Sequence, residues 1–167
     1  MEHFFFIIVA LVAIISCILV VTCRNPVNSA LSLVMAFFCL ATFYVMLDAP
    51  FMAAIQVIVY AGAIMVLILF VIMLLNMRTE TSQRSRHAVA IGSIIGVLSL
   101  FELLYFLSGK NFSGTKGDLT REIIERVGHT ELIGKSMFTD FLLPFEITSI
   151  LLLIAIVGAV VLAKKKI

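Results

Sequence analysis

Five long apolar stretches constrain this chain more than anything else in it. They run from about residue 4 to 22, 29 to 47, 51 to 76, 88 to 107 and 142 to 163. A helix needs about 20 mainly apolar residues to cross the ~30 Å hydrocarbon core of a bilayer, and each stretch is long enough. The alternating pattern of a membrane barrel is absent, and five strands could not close one. Composition agrees: 62% of the chain is hydrophobic and 13% charged, whereas soluble domains are roughly 45–50% apolar and 25% charged. The expected fold is an all-α integral membrane protein, a single membrane domain over residues 1–167 built as a bundle of five transmembrane helices. The opening Met1-Glu2-His3 has no basic character. The apolar run after it is longer than the core of a signal peptide, so it reads as a retained helix.

The connections are short except for one. Asn25-Pro26 separates the first stretch from the second, and Asp48-Ala49-Pro50 makes a tight turn before the third. Proline suits the first turn of a helix. A polar link runs from Arg78 to His87, and the single long loop spans residues 108–141. Within that loop Leu119, Ile123 and Val127 share one helical face, with Asp118 placed to cap and Gly128 to stop. Arg121–Glu125 and Glu122–Arg126 would pair on the other sides. Such a helix could lie on the membrane or remain a solvated loop.

Charge sets the orientation. With the N-terminus outside, the cytoplasmic segments hold Arg24, Arg78, Arg84, Arg86, Lys164, Lys165 and Lys166 against Glu80 alone. The long loop is balanced, with Lys110, Lys116, Arg121, Arg126 and Lys135 facing Asp118, Glu122, Glu125, Glu131 and Asp140. An excess of basic residues marks the cytoplasmic side, so the N-terminus is expected outside and the C-terminus in the cytoplasm. A net charge of +2 leaves no basic footprint for nucleic acid.

The motifs of enzyme chemistry are missing. There is no P-loop, dinucleotide fingerprint, zinc-protease helix or nucleophile elbow. Cys17, Cys23 and Cys39 form no paired motif, and His3, His87 and His129 lie at ends or in loops. The cysteines read as small packing residues. Polar groups at membrane depth are costly, which draws attention to Glu102 in the fourth stretch and Glu146 in the fifth. Both lie near the outer ends, where a carboxylate can also reach the headgroups. Gly92-x-x-x-Gly96 and Ala155-x-x-Gly158-Ala159 are small-residue faces suited to close helix packing.

The third stretch is the most informative. At 1.5 Å per residue it measures roughly 39 Å, so it must tilt, overhang or distort. Gln56 and Tyr60 are its polar side chains before Asn76, one helical turn apart. Tyr60 lies roughly 14 Å deep, below the usual aromatic belt. Ala61-Gly62-Ala63 follows at once. Small residues there permit close backbone approach, and glycine lowers the cost of leaving α geometry. Ordinary close packing and a hinge both fit these residues.

Tyr60-Ala61-Gly62-Ala63-Ile64-Met65-Val66-Leu67 and its continuation to Asn76 closely resemble the third helix of the subunit J family of proton-pumping NADH:quinone oxidoreductase, respiratory complex I. Asn25-Pro26-Val27, Ala49-Pro50-Phe51 and Leu143-Pro144-Phe145-Glu146 support the resemblance, which covers nearly the whole chain outside the long loop. It implies a subunit with no redox centre, no metal and no cofactor of its own. NADH, FMN, iron–sulfur clusters and quinone would be handled by other subunits. The resemblance also implies membrane-arm neighbours called subunits A, H and K, and a bacterial plasma membrane. In that family the third helix can hold a π-bulge whose loss rotates the helix and opens or closes a water path for protons. Carried over, that stretch holds Tyr60, Gly62, Met65, Val66 and Phe70, and Glu146 matches a family glutamate. Two other readings stand beside it. One is the equivalent subunit of a related ion-pumping complex with another electron donor. The other is a small-solute transporter formed by self-association, which a native gel would reveal as a small homo-oligomer.

Overall fold

A computed structural model describes residues 1–75, 86–108 and 121–164, without the side chains of residues 86–90, 121, 122 and 125. The expected end of the third span at Asn76, the link beyond it to residue 85, the Asp118 cap with Leu119, the two ion pairs of the long loop, and Lys165 and Lys166 lie outside what is described.

Every described element is helical, and five helices are long and apolar enough to cross a membrane. The first is α1 (Glu2–Thr22) and the second α2 (Pro26–Met46). The third span, Pro50–Leu75, has three parts: α3 (Pro50–Ile55), a π-helical segment (Gln56–Ile64) and α4 (Met65–Leu75). The fourth is α5 (Arg86–Ser108) and the fifth α8 (Leu142–Ala163). Between these two lie α6 (Arg121–Val127) and α7 (His129–Thr139).

Local chemistry explains the breaks. Asn25 caps α2: its side-chain oxygen accepts the Val27 N–H at 2.9 Å, and Pro26 occupies the first helical position. That satisfies one amide left without a partner at the helix start. The Ser29 hydroxyl donates to the Val20 carbonyl and ties α2 back to α1. At the other end of α2, Asp48 takes φ 55°, a left-handed value that aspartate tolerates better than most residues. Asp48 N–H donates to the Val45 carbonyl at 3.1 Å and Ala49 N–H to the Tyr44 carbonyl at 2.9 Å. This pair of bonds is the Schellman pattern, and Pro50 then starts the next helix.

Packing is uneven. α2 lies in the middle of a three-span layer, touching α1 on one side and every part of the third span on the other. Phe43 meets Phe6 of α1 with ring centroids 5.5 Å apart, and Phe37 meets Tyr60 edge-on at 6.0 Å. The seams are built from small side chains: Ser16, Ala30, Ala36, Cys39, Ala41, Ala53 and Ala61 are all buried. Lipid is as apolar as leucine, so helices in a bilayer associate by close van der Waals approach, which small residues allow. Among the described residues, α5 touches no other element and α8 touches only α7.

The described part of the long connection, residues 121–141, holds two helices. Gly128, at φ 95°, ends α6 where the sequence placed a stop. The chain then starts α7, a second helix where the sequence pattern predicts only loop. Phe138 of α7 meets Phe145 of α8 with tilted rings, centroids 4.9 Å apart, and α7 also reaches α3.

Candidate functional site

The candidate site is the middle of the third span. In a regular helix the side chains of one face recur every three or four residues. Here the buried stripe runs Ala53, Gln56, Ala61, Met65. The step from Gln56 to Ala61 is five. That longer step is the signature of a π segment, whose backbone bonds reach one residue further back than those of an α-helix. At its end the Met65 N–H still reaches five residues back to the Tyr60 carbonyl as well as to that of Gly62, and α geometry resumes in α4.

The extra residue changes which side chain faces α2. Sequence spacing put Gln56 and Tyr60 on one face. The structure separates them: Gln56 is 7% exposed and Tyr60 is 46% exposed, with Ala61 taking the buried position. Tyr60 keeps one flank against Phe37. Met65 is almost wholly buried at 1% exposure, while Val66 and Phe70 point away from the layer. Of the five residues singled out on this stretch, Met65 is buried, Gly62 half-buried, and Tyr60, Val66 and Phe70 are exposed.

Gly62 sits at a tight point of the local geometry. A Cβ built on it would lie 3.1 Å from the Val57 carbonyl oxygen, five residues back and part of the same π backbone. A backbone atom cannot swing aside as a side-chain tip can. Glycine therefore suits this segment because it has no Cβ to crowd it.

The two membrane carboxylates do not meet. Glu102 is exposed on α5 and Glu146 is exposed on α8, and those helices do not touch within the described residues. Next to Glu146, the Ser149 hydroxyl donates to its backbone carbonyl and the Thr148 hydroxyl donates to that of Pro144. Neither bond engages the carboxylate. Gly92, Gly96 and Gly158 have no described atom within 4 Å of where a Cβ would sit, so among the described residues the small-residue faces of the fourth and fifth spans pack against nothing. No cluster of three histidine, cysteine or acidic side chains could hold a metal among the described residues.

Sequence reasoning passed over Phe37 as the partner of Tyr60. It also did not pick Gln56 as the buried polar residue. Gln56 had a signal, being one of the two polar side chains in the apolar body of this span. Phe37 had none, because its contact depends on how α2 crosses the π segment.

Comparison with known proteins agrees with this architecture. The family model described as NADH-ubiquinone/plastoquinone oxidoreductase chain 6 matches residues 16–162. The chain is 41% identical over 144 residues to the NAD(P)H-quinone oxidoreductase subunit 6 of Staurastrum punctulatum chloroplasts, covering 84% of this chain and 78% of the relative. It is 41% identical over 165 residues to chain 6 of the NAD(P)H-quinone oxidoreductase of Leptolyngbya boryana, covering 96% and 79%. It is 34% identical over 165 residues to NADH-quinone oxidoreductase subunit J of Rickettsia felis, covering 97% and 80%. A family match over most of the five-span chain, with the π segment inside it, shows that this protein belongs to the NADH-ubiquinone/plastoquinone oxidoreductase chain 6 family, also called subunit J.

Proposed function

We propose that this chain helps couple quinone reduction to proton translocation, with the third span as its moving part. The coarser role follows from the family: it is a membrane subunit of an NAD(P)H-quinone oxidoreductase. The observation that carries the finer reading is the five-residue step from Gln56 to Ala61 in the buried stripe. Removing one residue from that turn would rotate the helix beyond it by about 100°. Tyr60 would then replace Ala61 on the face toward α2, and Met65, Val66 and Phe70 would turn with α4. Bulky apolar side chains moved into or out of a wet seam close or open it by excluding water. No redox group is needed in this chain for that role. Glu102 and Glu146, exposed on separate spans, are proposed to work only with groups supplied by neighbouring subunits, expected to include those called A, H and K.

The orientation proposed is N-terminus outside and C-terminus in the cytoplasm, supported by the seven basic residues against Glu80. The contact of α7 with α3 supports a topology in which the turn at 47–49 and the helix at 129–139 share one side of the membrane. A bacterial plasma membrane is proposed from the likeness to the Rickettsia subunit J. A reporter active only outside the cytoplasm should work when inserted in 108–141 and fail after Lys166.

The central test is Gly62→Leu in the assembled complex, reconstituted into vesicles. The side chain must displace the Val57 carbonyl or abolish the π segment, at a cost of about 1–3 kcal/mol. Proton uptake per NADH oxidised should fall about tenfold, the population change that 1.4 kcal/mol produces, while the complex still assembles. Unchanged stoichiometry in that variant rejects the switch. A second reading has its own support, since two of the relatives above are named for NAD(P)H rather than NADH. Genes for an NADH-oxidising module in the same cluster would favour the NADH-driven complex, and their absence the other donor.

A further inference from the structure

Gln56, where the π segment begins, carries chemistry that the switch described above does not use. It is 7% exposed in the layer beside α2, yet its amide bonds to no described residue. Among the described residues no side-chain nitrogen or oxygen is sealed in without a partner, so the amide ends at a small opening of the seam. A primary amide offers two donors and an acceptor, and holding them unbonded at membrane depth is costly. The α2 hydroxyls do not relieve it. Thr42 donates to the Phe38 carbonyl at 3.0 Å and Ser32 to the Asn28 carbonyl at 2.9 Å.

Tyr60 is the group placed to do so. In the present register the five-residue step turns it out to 46% exposure. Its hydroxyl, too, bonds to no described residue. Phe37 of α2 holds its ring at 6.0 Å, so the ring already lies beside the seam. In a regular α-helix residues four apart share a face, and a long side chain leans back toward the N-terminus over the turn before it. With the π step removed, Tyr60 comes over Gln56. Their Cα atoms are then about 6 Å apart along the axis, a distance that two long side chains span.

We propose that Gln56 is the latch of the α register: when the π step is lost, the Tyr60 hydroxyl donates to the Gln56 amide oxygen, and when the step returns the bond breaks. This rests on the two-register reading of the third span and names the positioning residue that holds one of the two registers. The π register keeps its own support in buried Ala61. One hydrogen bond of this kind shifts the ratio of the registers about fivefold, which biases the span without locking it.

The experiment uses the whole complex, imaged by electron cryomicroscopy during NADH oxidation, with particles sorted by the register of the third span. Gln56→Met keeps the side-chain length and removes the amide. Tyr60→Phe keeps the ring and removes the hydroxyl. Each should lower the ratio of α to π particles about fivefold. In the double variant the fall should stay about fivefold, whereas two independent changes would multiply to about 25-fold. A merely structural role for Gln56 would not make the two changes overlap. Tyr60 is half exposed in the π register, so Tyr60→Phe keeps the test open if Gln56→Met fails to assemble. With both registers visible, an unchanged ratio in either single variant, or a multiplied fall in the double variant, overturns the latch and leaves the switch in place. Particles in the π register alone, in the wild-type complex, overturn the latch together with the switch.

Discussion

The first three spans and the last two are equally suited to lipid by composition, yet they are built differently. Every residue buried among the described ones belongs to α1, α2 or the third span. The windows of the fourth and fifth spans have none. In the first region small residues are closed against a neighbour: Ser16 in α1, Ala36 and Cys39 in α2, Ala61 in the third span. In the second, Gly96 and Gly158 are small residues facing open space. Apolar composition tells that a segment will enter the bilayer. It does not tell whether lipid or protein covers it, because both are apolar. The difference therefore separates a self-packed layer from a pair of spans whose faces are left open among the described residues.

The sharpest way to break that comparison is to overfill a closed seam. Ala61 is 6% exposed at the buried end of the five-residue step. Ala61→Leu adds three carbons there and should destabilise the layer by about 1–3 kcal/mol. The expected result is a severe drop in chain level in the membrane and in assembled complex on a native gel. Wild-type levels would mean that the first three spans are no more closed than the last two.

A milder cut tests the turn that sets α2 in the middle of the layer. Asn25→Ala removes the acceptor for the Val27 amide, which costs about 1 kcal/mol at a helix start. Pro26 still starts the helix, so the complex should assemble but lose activity at a lower temperature than wild type. An unshifted inactivation temperature would show that tertiary packing alone fixes this turn.

Next in size is Tyr60→Phe. The ring and its edge-on contact with Phe37 remain, and only the hydroxyl goes. A hydrogen bond contributes about 0.5–1.5 kcal/mol net, and Tyr60 is half exposed in this register, so the assembled complex should keep its stability to within about 0.5 kcal/mol. A pumping defect without a stability defect would point to the hydroxyl acting in the other register of the span. Full activity would mean that only the ring matters.

These variants also mark what the sequence could and could not disclose. The five spans were legible to within a few residues, because about 20 consecutive apolar residues is a local property. The stop at Gly128 was legible because the chain there needs a positive φ. α7 is not legible there, since Leu132, Ile133, Met137 and Phe138 repeat less evenly and its contacts come from α3, α6 and α8. The π segment was legible only as permission. Ala61-Gly62-Ala63 allows a departure from α geometry, but the step that moves Tyr60 out and Ala61 in is settled by packing against α2. Met65 drew notice only through the family resemblance, and its near-complete burial depends on that same step.

The smallest effect on the chain itself is the most useful for the second region. Among the described residues nothing lies within 4 Å of where a Cβ on Gly96 would sit, so Gly96→Leu should leave the chain's own stability unchanged to within about 0.5 kcal/mol, as for a surface site. The chain should still insert, and its first three spans should resist protease as in wild type. If a partner helix lies on the Gly92–Gly96 face, the same leucine blocks close approach and the chain should enter the complex poorly. Normal insertion with failed assembly assigns that face to another subunit. Normal insertion with normal assembly means that lipid covers α5 there, and the two regions then differ in packing but not in partners.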